Sequence, residues 1–149
     1  MEVKVQQYIQ DFLKALDKKQ KQKKIICSIN FEEVKIYKKM KGFNIPEYFL
    51  NMFSAFNGLL IDSPKYFELH KFEEIEILEN RFLHFATIGN DNKICFDMER
   101  YNSANEFDIV CYNNKYIITS TLSSFITNKI WAWVERGREI WKEEIYKDD

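Results

Sequence analysis

Residues 82–97 read Phe82-Leu83-His84-Phe85-Ala86-Thr87-Ile88-Gly89-Asn90-Asp91-Asn92-Lys93-Ile94-Cys95-Phe96-Asp97, and this stretch decides the fold. Two apolar runs, 82–88 and 93–97, are rich in aromatic and β-branched residues, and four turn formers, Gly89 to Asn92, separate them. Runs this short, joined by so short a turn, pair as neighbouring antiparallel strands. Downstream, 107–112 and 116–119 repeat the pattern around Asn113-Asn114, a tight hairpin signal. Upstream, 65–69 and 75–78 show short alternations of the same kind. The expectation is a mainly antiparallel sheet.

Outside this region the apolar period becomes helical. Val5, Tyr8, Ile9, Phe12, Leu13 and Leu16 share one face of a helix over 3–17. The run KKQKQKK at 18–24 has no apolar stripe and reads as a solvated helix end and turn rather than a nucleic-acid tail. A second helix is expected over 31–41, capped by Asn30 with Glu33 three residues on and stopped by Gly42. A third starts at Pro46, carries Phe49, Met52, Phe53 and Phe56, and ends at Asn57-Gly58. Residues 121–146 read as one long closing helix with Ile126, Ile130, Trp133, Val134, Gly137, Ile140 and Trp141 on one face; Trp131 falls off that stripe. Helices before and after a meander of strands give a single α+β domain over 1–149, with helices on one face of the sheet.

Composition agrees with one self-sufficient domain. Hydrophobic residues make up 46% of the 149, enough for a core without disulfides or metal. Four Gly and two Pro leave no room for long flexible linkers. No export signal and no apolar run of spanning length is visible, so a cytoplasmic protein with reduced Cys27, Cys95 and Cys111 is expected, without a membrane partner. The net charge of −1 argues against direct nucleic-acid binding. It divides unevenly: residues 1–41 hold 11 Lys against 5 acids, and residues 42–149 hold 11 Lys and Arg against 18 acids.

No catalytic constellation emerges. Two His and three Cys without CxxC, HxxxH or HExxH spacing predict no metal. Four isolated glycines form no phosphate cradle, so no nucleotide cofactor is expected. Cys95 sits between Ile94 and Phe96, which suits packing better than nucleophilic work. Glu73, Glu74, Glu76 and Glu79 are crowded carboxylates, but acid–base catalysis needs two held in contrasting environments. The residues alone point to a non-enzymatic domain that binds something through its surface.

Residues from about 31 to 126 resemble the SUKH superfamily. The segment Phe31-Glu32-Glu33-Val34, then Gly42-Phe43-Asn44-Ile45-Pro46-Glu47-Tyr48-Phe49-Leu50, then Asn57-Gly58, is similar to that family's helix, "LP" and "NG" pattern. Phe85 to Asp97 resembles its strand–turn–strand, and Ile118 to Ile126 its entry into the last helix. Ile45 stands where the family has Leu, and the stretch between Gly58 and Phe85 carries little of the pattern. The resemblance implies an α+β fold without catalytic residues. It also implies a role: bacterial members are mostly immunity proteins that bind a cognate toxin in the cytosol. The alternatives are a regulatory scaffold, as in the yeast cell-wall assembly branch, and an unrecognised hydrolase or nucleotide binder. Pro46, Asn57, Gly58, Phe85 and Asp97 carry the motif and read as structural: helix start, helix stop, core, and a strand-end carboxylate bonding turn amides.

The partner surface is expected where the family pattern is weakest. Glu68, Glu73, Glu74, Glu76 and Glu79 form an acidic stretch suited to a protein toxin with a basic cleft, such as a nuclease. Tyr66 and Phe67 beside it, and Trp131, are the expected aromatic anchors.

Overall fold

The fold follows from which strand edges the sequence can pair, and a computed structural model describes it for residues 6–142. In chain order the described elements are α1 (Gln7–Lys21), β1 (Ile26–Ile29), β2 (Lys39–Met40), β3 (Phe43–Asn44), α2 (Glu47–Leu50), β4 (Leu59–Ser63), β5 (Phe67–Leu69), β6 (Glu76–Leu78), β7 (Phe82–Ile88), β8 (Asn92–Tyr101), β9 (Phe107–Cys111) and β10 (Ile117–Thr119). The last helical run comprises α3 (Leu122–Ser124), a π turn (Phe125–Lys129) and α4 (Ile130–Val134).

β7 and β8 pair antiparallel, as the opening stretch predicts, and the sheet grows from them in the order β1-β4-β5-β7-β8-β9-β10. β8 takes one edge of β7. On the other edge β5 pairs with residues 86–88 and β6 with 82–84, so these two short strands lie end to end. Every strand pair among the described residues is antiparallel, and the architecture is α+β.

One face of the sheet is buried under helices. Phe85 and Phe96 stack at 4.3 Å between ring centroids, and Phe49 of α2 and Phe125 of the last run meet Phe85 edge-on at 5.5 and 5.6 Å. Ile9, Phe12 and Leu16 of α1 close the same core. Each buried ring contributes on the order of 2 kcal/mol. The opposite face is left to solvent over β4 and β5: Leu59 and Ile61 are buried while Leu60 is half-buried and Asp62 exposed, and Glu68 lies between buried Phe67 and Leu69.

Three helix expectations need correction. Residues 31–41 form an irregular segment ending in β2. Asn30 cannot cap a helix there because its C=O accepts the Asn57 N–H (2.7 Å) and its N–H donates to Gly58 O (3.0 Å), so its backbone belongs to the sheet. Its side chain accepts the Glu32 N–H instead. The third helix is one α turn from Glu47, with Pro46 O accepting its first bonds, followed by a 3₁₀ turn over Asn51–Ser54. The closing helix stops at Val134. Gly137, expected inside it, takes φ +65°; its N–H donates to Trp133 O and the Arg138 N–H to Ala132 O, which is a left-handed cap. The expected continuation to residue 146 runs into 143–149, and the expected start at 3–5 also lies outside the described residues. Four strands, β1 to β4, lie outside the expected ones.

Candidate acidic docking face

Two strands, one 3₁₀ turn and the irregular segment after β1 position the candidate site on the face of the sheet away from the helices. Asp62 of β4 and Glu68 of β5 point outward by the two-residue period of a strand. Glu74 comes from the 3₁₀ turn Phe72–Glu74, which the Asn57 side chain holds by accepting the Phe72 N–H at 2.7 Å. Glu32 comes from the segment after β1. A groove of about 610 Å³ is lined by Phe31, Glu32, Leu60, Glu68, Lys71 and Glu74, among others; Asp62 lies outside it. Three carboxylates face one ammonium there. Phe31 is 66% exposed and Tyr66 36% exposed. The Tyr66 hydroxyl donates to Glu68 Oε1 at 3.1 Å. Partial burial, this bond and the charges of Glu68, Asp62 and Glu74 push the phenol up from its usual value, so it stays a neutral donor.

The other expected partner residues divide. Glu73 is exposed but accepts from Asn57 Nδ2 at 2.9 Å, so it helps pin the turn. Glu76 is exposed beside His84, its Oε1 3.8 Å from His84 Nδ1. Glu79 lies beyond β6, 3.9 Å from Lys115, and belongs to a different concavity. Phe67 cannot anchor a partner: it is fully buried, 6.1 Å from the Phe125 ring. Trp131 is likewise corrected, with 9% of its surface exposed. It packs on Phe12 of α1 at 5.7 Å, with Lys19 Nζ 4.7 Å from its ring, while Trp133 donates from Nε1 to Tyr66 O. α4 is wedged between α1 and the sheet, so faces that an amphipathic reading assigns to solvent are buried.

Asn57, Gly58 and Asp97 each hold local structure, and Gly58 also lines the groove. Asn57 is buried and uses both amide atoms, towards Phe72 N and Glu73. Gly58 has φ +83°, and a Cβ there would lie 2.9 Å from Lys71 N. Asp97 lies inside β8 rather than at its end. It accepts two bonds from Arg81 (2.8 and 2.9 Å) and one from the Glu99 N–H, with Arg100 at 3.4 Å.

Further along the same face, His70 Nε2 and Thr87 Oγ1 are 2.8 Å apart, and the His70 and His84 rings 4.6 Å. Burial, helped by the neighbouring His70, pulls the His84 pKa below its ordinary value. Burial also pushes the Cys27, Cys95 and Cys111 thiols up, which keeps them protonated. Among the described residues no group of three or more His, Cys, Asp or Glu is placed to hold a metal ion, and no helix is long and apolar enough to cross a membrane.

Sequence reasoning missed Phe31, Glu32, Asp62 and β1. The signal for β1 was present: Ile25, Ile26 and Ile29 form a short β-branched run between the lysines and Asn30. No family model, curated protein or solved structure matches the chain.

Proposed function

We propose that this chain is a non-catalytic binding domain that neutralises a protein toxin by docking it on the acidic sheet face, in the manner of the SUKH immunity proteins its motifs resemble. The observation that carries the reading is the uncovered face itself. Glu32, Glu68 and Glu74 line a groove together with exposed Phe31, and exposed Tyr66 adjoins it through its bond to Glu68. Carboxylates speed the approach of a basic partner, and aromatic anchors supply contact energy once it has docked. A nuclease with a basic cleft, acting in the same cytoplasm, fits this chemistry.

Co-expression with the product of the adjacent gene tests it. A stable complex is expected to co-purify. Glu68→Lys with Glu74→Lys is expected to slow association about tenfold at low salt, with circular dichroism unchanged. A toxin that binds the variant at the parent rate would remove this face from the mechanism.

A further inference from the structure

We propose that β1 is a docking edge that accepts an extended segment of the partner, with residues alternating between apolar and basic. This rests on the reading of the chain as a protein-binding domain and specifies how the partner is held. β1 ends the sheet: its only strand neighbour among the described residues is β4. Asn30 turns both main-chain groups towards Asn57 and Gly58, and Ser28 pairs with Leu60 in the same register. Antiparallel pairing alternates, so Cys27 and Ile29 turn their N–H and C=O groups outward, away from β4 and without a strand partner among the described residues. The bulge at Ile26 and Cys27 limits the usable edge to 27–31.

Exposed edges are commonly blunted by Pro or charge. Residues 26–29 contain neither, and Ile26 is 63% exposed. The edge is flanked by two grooves of different chemistry. On the helix side, a groove of about 690 Å³ is floored by Leu13, Cys27, Ile29 and Phe31. Its charged residues, Asp17 and Lys21, pair with each other at 2.9 Å. On the solvent side lies the acidic groove of Glu32, Glu68 and Glu74. Successive side chains of an added strand point to opposite sides. One set therefore meets an apolar floor and the other meets carboxylates, which selects an apolar–basic alternation. A second copy of this chain fits poorly. Antiparallel pairing of two β1 strands about a twofold axis keeps like faces on the same side, so the acids of one copy would border those of the other.

The probe is a synthetic peptide of roughly nine residues alternating Lys and Val, added to the full chain and followed by amide hydrogen exchange. Slowed exchange at Cys27 and Ile29 is expected. The protection should vanish for the same peptide N-methylated along one edge, and for a Glu–Val peptide. Glu68→Lys with Glu74→Lys should weaken binding about tenfold at low salt. Unchanged exchange at millimolar peptide, equal protection by the N-methylated peptide, or protection that grows with protein concentration alone would each overturn the proposal. A toxin that docks on the acidic face while leaving the Cys27 and Ile29 amides unprotected would sink the edge alone. A peptide that docks on a chain binding no toxin would sink the functional reading instead.

Discussion

Asn57 and Gly58 show how two adjacent residues tie distant segments together. The Asn57 amide holds the turn that carries Glu74, and the Gly58 carbonyl accepts from Asn30, where β1 ends. Only a residue without Cβ fits φ +83° with Lys71 N so close. Gly58→Val is therefore expected to destabilise the protein by more than about 1 kcal/mol, read as a lower urea midpoint. An unchanged midpoint would count against this backbone role. Asp97 gives a pH prediction. Burial pushes its carboxyl up, but the Arg81 bonds, the Glu99 amide and the Arg81 and Arg100 charges outweigh this and hold it below its usual value. Its stabilisation is complete above the unfolded carboxyl value of about 3.9 and is lost as pH falls through the lower folded value. Asp97→Asn should cost about 1–3 kcal/mol at neutral pH and flatten the loss of stability below about pH 4. Equal acid limbs in denaturant titrations of both proteins would count against this.

At the scale of elements, the strands with clear turn signals were legible and the helices less so. Strand 82–88 emerged with its predicted bounds because Gly89 to Asn92 and the alternating runs agree with the pairing. The helix expected over 31–41 failed because backbone pairing of Asn30 with a residue 27 positions away is a tertiary choice that local capping signals do not report. Gly137 is expected inside the helix but ends it at φ +65°, and the chain then turns so that half-buried Trp141 meets Trp133 at 4.9 Å. Trp131 illustrates the same limit for sites. A residue off the sheet-facing stripe looks free until a second helix covers it, and α1 does so through Phe12 and Lys19. Lys19 also bonds Glu135 at 2.8 Å, so part of the basic run joins α1 to the closing segment. Trp131→Ala should destabilise by about 3–5 kcal/mol, well above the cost of losing a surface aromatic. A change below about 0.5 kcal/mol in chemical denaturation would return Trp131 to the surface.

For the whole molecule, the uneven charge has a structural meaning that the sequence only outlined. Basic residues gather at the end of α1, where Lys18, Lys19 and Lys21 sit in the last turn and complement the helix dipole. Acids gather on the far face of the sheet, where no helix among the described residues covers them. The acidic stretch was visible as composition, but its division among turn-pinning Glu73, groove-lining Glu68 and Glu74, and distant Glu79 depends on the sheet register. The main core is one cluster of buried residues that runs from Ile9 to Ile140, and a smaller one of Phe82, Cys95 and Val110 sits on the same strands β7, β8 and β9. Strands that carry both clusters couple them into one cooperative unit. Unfolding in urea is therefore expected to show one transition, with a slope of about 1–3 kcal/mol per molar. Tryptophan emission reports the closing segment, because Trp131, Trp133 and Trp141 all lie there; far-ultraviolet circular dichroism reports the sheet and α1. The two curves should superimpose. An earlier tryptophan transition would make the closing segment a separate unit and would weaken the assignment of Trp131 to the common core.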